Sequence, residues 1–469
     1  MKLPLADAVA AAGARALGAD ALPATLRFVT DTRTLEPGDA FVALRGERFD
    51  GHDYLREALR SGASVLVVDD ERALPPGAGA LVVDDTKTAY LAFGAAARRR
   101  SQVRVVGITG STGKTTTKTF VAQILERCAA GRVVATPRNE NNEIGVAKFL
   151  LDLPTDAEFA VVEFGARHEG DIAPLARAAL PEIGLITNIG EAHLEVFGSR
   201  ERLAQTKWGI FATGARAVLN VADPVSVALA ASLAGPITWF GTSGEAPPGL
   251  LPKADRAVHL LRAPEGDALL AIGNERERSG AFAVQLHVAG EHNRENVAAA
   301  AAAAIALGFA PKAVAQALPR LELPAGRYER MTLGPLEVIY DAYNASMSGT
   351  LATLDSFSRE AAKRRIAVLG SMAELGDGAA AMHERVGEAA ARANIDRLLV
   401  GGDFAADIAR GASGAGFAEG AIVAYAANAD AVEWLRRNAR AGDLVLLKAS
   451  RRYKLEEIVE GLRGTHAAG

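Results

Sequence analysis

Residues 107–115 read Gly-Ile-Thr-Gly-Ser-Thr-Gly-Lys-Thr, a spacing whose natural chemistry is the cradling of phosphate. Glycines let backbone N–H groups curl around phosphate oxygens, and a helix start adds a favourable field for an anion. On that reading Gly110, Ser111, Thr112 and Gly113 form the cradle for ATP. Lys114 reaches the β- and γ-phosphates, Thr115 offers its hydroxyl to Mg²⁺, and Thr116 completes the contacts. The strict GxxxxGK(S/T) spacing fails, because Ile108 stands at its first position and the glycine falls one residue earlier. Glu163 closes the apolar run Phe159–Val162. A carboxylate there can hold Mg²⁺, which takes oxygen ligands, although an exposed acid at a strand end is the plainer reading of that residue alone. The single cysteine, Cys128, follows Ile124 and Leu125 and reads as a small packed hydrophobe. One cysteine cannot form a disulfide within the chain.

Such residues need a strand, a turn and a helix to position them. Val103–Ile108 is an apolar strand that enters the glycine-rich turn, and a helical pattern follows. Phe159–Val162 and Ile183–Ile186 are further strands with helices between, as in a doubly wound α/β sheet. Upstream, Val65–Val68 and Leu81–Val83 suit short buried strands separated by the turn Pro75-Pro76-Gly77. Arg98-Arg99-Arg100 is expected as a solvated helix end, and residues 242–290 read as turn-rich and irregular. Seven alanines, Ala298–Ala304, favour a helix and let it pack closely. From Gly326 onward, Val338–Tyr340, Ile366–Leu369, Leu398–Val400 and Leu444–Leu447 recur as strands of a second, Rossmann-like unit. A chain of 469 residues suits about three domains, placed at 1–98, 99–324 and 325–469.

Composition narrows the classes. The net charge is -4, with no basic excess of the kind that marks a nucleic-acid binder. No run approaches the ~20 apolar residues of a membrane span, and Asp7, Arg15 and Asp20 interrupt any signal-peptide core. The expectation is a soluble, cytoplasmic monomer.

The form Gly-x-Thr-Gly-x-x-Gly-Lys-Thr resembles the nucleotide loop of the Mur ligase family. Further blocks follow in the family's order along the whole chain: Asn139–Gly145, Glu163–Ala166, Thr187–Glu195 with its TNxGxAHLE-like text, Phe197–Ser199 and Gly290–Asn296. The resemblance implies an α/β, three-domain architecture with a P-loop ATPase central domain and a Rossmann-like C-terminal domain. It also reverses the plain reading of Glu163, making it a Mg²⁺ ligand. By the same resemblance His193 is a ligand of a second metal ion, Asn293 contacts adenine, and Asn141 and Asn142 contact substrate. Lys207 matches a lysine that the family commonly carbamylates, although Gly209 stands where a glutamate is often found. Without the resemblance, His193 would pass for a packed histidine, Asn293 for a helix cap and Lys207 for a solvated helix lysine.

The ends of the chain indicate the branch. Thr30–Arg33, Pro37–Leu44 and Asp50–Asp53 resemble the uridine-nucleotide block, and imply that Asp31, Thr32 and Arg33 hold UDP. A turn with a surface ion pair fits those three residues equally. Gly326-Arg327, Asp341–Ala345, Gly370–Gly376, His383 and Lys448–Arg451 resemble the branch that adds D-alanyl-D-alanine to a UDP-linked muramoyl-tripeptide. Arg327 would then touch the γ-phosphate across the cleft, and Asp341 the ribose. Ser346-Met347 departs from that branch's Asn-Pro, as Ala147-Lys148 departs from a proline-containing turn. The expected reaction is ATP-dependent amide formation through an acyl phosphate. Its rivals are a related ligase acting on another nucleotide-linked acid or amine, and a P-loop ATPase module with no covalent product.

Overall fold

The computed structural model describes residues 2–18, 22–46, 49–190, 197–242, 254–262, 268–273, 278–373 and 375–463. Three larger sheets carry the fold, beside a two-stranded pair of Leu3–Pro4 with Thr25–Leu26. The first orders its strands Arg15–Leu17, Ala80–Val82, Val65–Val68, Ala40–Val42 and Phe28–Val29, parallel except for the first pair. The helix Thr86–Arg99 leads out of it, capped by Asp85, whose carboxylate accepts from Thr88 N–H at 2.7 Å. The sequence led us to expect a solvated run Arg98-Arg99-Arg100 at its end; Arg99 and Arg100 are exposed, but Arg98 is not. Arg98 lays its guanidinium inward and donates to the carbonyls of Ala179 at 2.8 Å and Ser101 at 2.9 Å, satisfying backbone acceptors at a helix end.

The central sheet runs Arg132–Ala135, Ala157–Glu163, Arg104–Thr109, Ile183–Ile186, Arg216–Asn220, Ile237–Gly241 and Ala254–Arg262, all parallel, then Ala268–Gly273 and Arg278–Val284, antiparallel. The last three strands correct the irregular stretch expected after residue 242. Ala268–Gly273 alternates buried with half-buried residues along its length, a short period-two pattern diluted in the sequence by the charged and glycine-rich residues around it. Period two also divides the parallel core. Val106 and Ile108 face the helices Lys114–Cys128 and Glu291–Ala306, while Val105 faces the opposite layer with Val162. Ala298–Ala304 are at most 1% exposed. Their small side chains let helix Glu291–Ala306 lie against Lys114–Cys128 as closely as the sequence suggested.

The third sheet orders Glu329–Leu333, Leu336–Tyr340, Asp443–Lys448, Arg364–Gly370, Arg397–Gly401 and Ile422–Ala424, parallel after the opening hairpin. Four of these strands are the apolar runs read from the sequence. Among the described residues no helix is long and apolar enough to cross a membrane.

Candidate active site

Strand Arg104–Thr109 lies between Ala157–Glu163 and Ile183–Ile186, with Ile108 opposite Glu163 on one side and Leu185 on the other. The chain fills one flank of this strand before crossing to the other, so its C-terminal end is a switch point, where open α/β sheets bind ligands. The turn that follows requires glycine twice. Gly110 has φ 150° and a Cβ there would collide with the Thr187 hydroxyl; Gly113 has φ 79° and a Cβ there would collide with the Asn296 amide.

The neighbouring strand end holds this loop in shape. Ser111 N–H donates to Asn188 O at 2.9 Å, and Thr112 N–H donates to Asn188 Oδ1 at 3.1 Å. The Thr187 hydroxyl donates to Thr112 O at 2.6 Å, and Gly190 N–H donates to Ser111 Oγ at 2.9 Å. Lys114 Nζ folds back onto the loop and donates to Gly110 O at 2.9 Å and Ser111 O at 3.4 Å. Lys207, carried on helix Arg200–Trp208, donates to the same Gly110 oxygen at 3.0 Å. It is buried, not solvated. Burial, and then the charge of Lys114, push its amine well below the ordinary lysine range. Burial likewise lowers Lys114.

Glu163 is buried at the end of its strand. Its Oε1 accepts from Asn141 Nδ2 at 2.8 Å, and its backbone N–H donates to Thr136 Oγ1 at 3.0 Å. Its Oε2 faces Lys118 Nζ at 3.3 Å but has no well-aligned donor. A buried carboxylate oxygen that has an ammonium beside it but no aligned donor can also serve as a cation ligand. From the turn that leads into the third sheet, Arg327 Nη2 donates to the Thr115 hydroxyl at 3.4 Å, so two units of the chain meet at the loop. The field of Arg327 also reaches Lys114, Lys118 and Lys448. Buried like charges repel strongly at low dielectric, and a polyanion is the ligand that relieves such a cluster.

Three family descriptions match the chain in succession: the Mur ligase family catalytic domain at residues 27–103, the Mur ligase middle domain at 108–304, and the Mur ligase glutamate ligase domain at 326–451. A UDP-N-acetylmuramoyl-tripeptide--D-alanyl-D-alanine ligase of Synechocystis sp. is 37% identical over 444 residues, 92% of this chain and 91% of the relative. The protein of that name in Bacillus subtilis is 35% identical, covering 92% of each. The chain belongs to the Mur ligase family. Its fold agrees: a crystal structure of MurF from Acinetobacter baumannii superposes with a TM-score of 0.84 at 28% identity over 99% of both chains. MurF ligase from Thermotoga maritima, solved in complex with ADP, gives 0.79 at 27% identity over 93% of this chain and 97% of that one.

The other residues that the Mur ligase resemblance singled out sit in varied surroundings. Asn293 is buried in the first turn of helix Glu291–Ala306; it donates to Ala289 O at 2.9 Å and accepts from Asn296 Nδ2 at 3.1 Å. It does not cap that helix, whose N-cap is Gly290. Asp341 has both carboxylate oxygens engaged within the protein, by Tyr328 N–H at 3.2 Å, the Thr353 hydroxyl at 2.6 Å and Lys448 Nζ at 3.1 Å. Asn142 caps helix Glu143–Leu151 by accepting from Gly145 N–H at 2.9 Å. Thr116 is buried behind the loop.

In the first unit, Asp31 caps the turn Thr32–Thr34 and pairs with Arg33 at 2.6 Å, while Thr32 donates to Glu57 at 2.8 Å. The Arg33 guanidinium is the chief cause holding the Asp31 carboxyl down at about 2. The turn with its ion pair is therefore formed. His193 lies in residues 191–196, outside the described residues. Among the described residues no three of His, Cys, Asp and Glu cluster as a metal site, which leaves Thr115, Glu163 and Lys207 as the described candidates in this Mur ligase.

Several functional neighbours were not assigned roles from the sequence. Asn188 and Thr187 shape the loop. Lys118 donates to Thr136 O and Arg138 O, both at 2.7 Å, beside Glu163. Its spacing of four from Lys114 on one helix was the available signal. Lys448 and Tyr343 brace the Arg327 side of the cleft, and only tertiary folding brings them there.

Proposed function

We propose that this chain joins D-alanyl-D-alanine to UDP-N-acetylmuramoyl-tripeptide, splitting ATP to ADP and phosphate. The single observation that carries the reading is the meeting of Lys114, Lys207 and Arg327 at one glycine-rich loop, with Arg327 supplied by a different unit of the fold. The full-length relatives named for this reaction support the choice of substrates. A site of this form suits phosphoryl transfer, in which positioning and charge neutralisation do most of the work.

The terminal carboxylate of the tripeptide attacks the γ-phosphorus. The bond to the leaving ADP oxygen breaks as the acyl phosphate forms. Lys114 and Arg327 neutralise the charge that passes to the phosphate oxygens. The dipeptide amine then attacks the activated carbonyl to give a tetrahedral intermediate; the carbon–oxygen bond to phosphate breaks with its electron pair going to the phosphate oxygen, and the nitrogen loses a proton to solvent or to the departing phosphate as the amide forms. Water must be excluded while the acyl phosphate lasts, and Arg327, carried by a different unit, would complete the site as the units close. Thr115 and Glu163 would hold Mg²⁺, Lys207 as a carbamate would offer a further oxygen ligand, and His193 would hold a second metal ion. When bound, these ions would supply added neutralisation of phosphate charge. Asn293 and Asp341 are proposed for the adenosine, Asp31, Thr32 and Arg33 for the UDP part, and Asn141 and Asn142 for the substrate.

The test is ADP release from ATP with UDP-N-acetylmuramoyl-tripeptide, with and without D-alanyl-D-alanine, with the product mass determined. Release that needs both substrates, and a product heavier by the dipeptide less water, is expected. Equal ADP release without either substrate would leave only an ATPase.

A further inference from the structure

We propose that Tyr343 is the positioning residue that aims Arg327 at the nucleotide loop. The inference rests on the reading of Arg327 as the residue that meets the γ-phosphate.

Arginine carries five N–H donors, yet Arg327 spends them sparingly. Its one side-chain hydrogen bond among the described residues is the 3.4 Å contact to Thr115, and its Nε is buried without an acceptor. None of the described carboxylates pairs with it. Hydrogen bonding therefore does not fix the direction of this guanidinium. The Tyr343 ring does: the guanidinium carbon of Arg327 lies 4.5 Å from the ring centre, well inside the range of a cation–π contact. The guanidinium of Arg451 lies 5.6 Å from the same ring centre.

The ring is itself held. Tyr343 N–H donates to Gly326 O at 3.2 Å, tying it to the residue before Arg327. Gly326 has φ 72°, and a Cβ there would stand 3.4 Å from Tyr343 Cβ, so the two loops are in contact. On either side of Tyr343, buried Lys448 donates to Asp341 O at 3.0 Å and Asn344 O at 2.6 Å. The platform is thus pinned at three backbone points.

An aromatic ring suits this task better than a carboxylate would. A carboxylate would orient Arg327 but neutralise it, and would compete with phosphate for its donors. The ring orients the cation through its quadrupole and leaves the full charge and the remaining donors for an anion. No described residue accepts from the Tyr343 hydroxyl, so phenylalanine can replace it in this role.

The experiment compares kcat/KM for ATP at saturating UDP-N-acetylmuramoyl-tripeptide and D-alanyl-D-alanine in Tyr343→Phe, Tyr343→Leu and Arg327→Met, and in protein carrying pentafluorophenylalanine at position 343. The fluorinated ring keeps the shape of phenylalanine but removes its attraction for a cation, so it remains informative should the leucine variant misfold. Phenylalanine is expected within about twofold of the parent, and the leucine and fluorinated variants roughly tenfold lower, with the KM for the UDP-linked peptide unchanged. A fluorinated variant equal to the phenylalanine variant, while Arg327→Met is inactive, overturns the role of Tyr343. A fully active Arg327→Met removes instead the γ-phosphate reading on which the proposal stands.

Discussion

Lys207 and Lys114 donate to one and the same carbonyl oxygen, that of Gly110, at 3.0 and 2.9 Å. Two buried ammonium groups on one acceptor repel each other, and burial and this repulsion favour the neutral amine of Lys207. A neutral lysine amine can add CO₂, its nitrogen releasing a proton to solvent. The carbamate so formed is an anion beside Lys114, which turns the repulsion into attraction and offers an oxygen ligand to Mg²⁺. Lys207 is accordingly predicted to carry a carbamate in the active enzyme. Protein equilibrated with ¹³C-labelled bicarbonate should show one carbamate resonance that is absent from Lys207→Ala. That variant should lose activity by roughly a hundredfold and regain part of it with short carboxylic acids. Full activity in Lys207→Ala would show that the anion is not needed.

Lys114→Ala is predicted to slow ADP formation on the order of a hundredfold to a thousandfold with little change in thermal midpoint, because the amine bonds only its own loop. Undiminished turnover of the folded variant would remove the phosphate-loop assignment.

Asn188 accepts from both the backbone N–H and the hydroxyl of Thr112, at 3.1 and 3.2 Å. Asn188→Ala should release the loop, raising the KM for ATP roughly tenfold and costing about 1–3 kcal/mol of stability through the unsatisfied N–H. Nucleotide titration and denaturant unfolding measure the two effects separately. An unchanged KM would mean that the loop holds its shape by other means.

His383 is locked as the neutral ring, accepting from Met372 N–H at 2.8 Å and facing Ala379 O at 2.6 Å through Nδ1. Burial lowers its pKa. The unfolded chain, with histidine near ~6.5, therefore binds the proton more readily than the folded one. The stability His383 contributes is complete above about pH 6.5 and declines as the pH falls toward its folded value. Thermal melts at pH 7.5 and 5.5 should differ more for the parent than for His383→Gln, and an equal difference would contradict the locked-ring account.

Much of this was legible in the sequence because local pattern and tertiary role coincide. The run Val103–Ile108, the glycines at 110 and 113 and the pair Lys114-Thr115 are adjacent, so strand, turn and helix can be read together. The strands Ala268–Gly273 and Arg278–Val284 escaped, since they are antiparallel additions set among glycine and charged residues that blur their pattern. Lys118 escaped for another reason, as did the role of Asn188, although that residue stood inside the Thr187–Glu195 block. Their roles depend on which strand lies beside which, and Asn188 stands 76 positions from the Thr112 it holds. Nothing in composition or periodicity reports that pairing, nor the approach of Tyr343 to Arg327.

The central claim is that the acceptor is D-alanyl-D-alanine, and the loop at residues 344–350 bears on it. Ser346 caps helix Met347–Ser358, accepting from Gly349 N–H at 3.3 Å. It thereby supplies the helix start that Asn-Pro would provide in related sequences. The most direct measurement is a competition between D-alanyl-D-alanine, other dipeptides and single amino acids at fixed UDP-N-acetylmuramoyl-tripeptide and ATP, with products separated by mass. The account predicts the highest kcat/KM for D-alanyl-D-alanine. A higher kcat/KM for any other amine would contradict it and leave only an amide ligase of the family with a different acceptor.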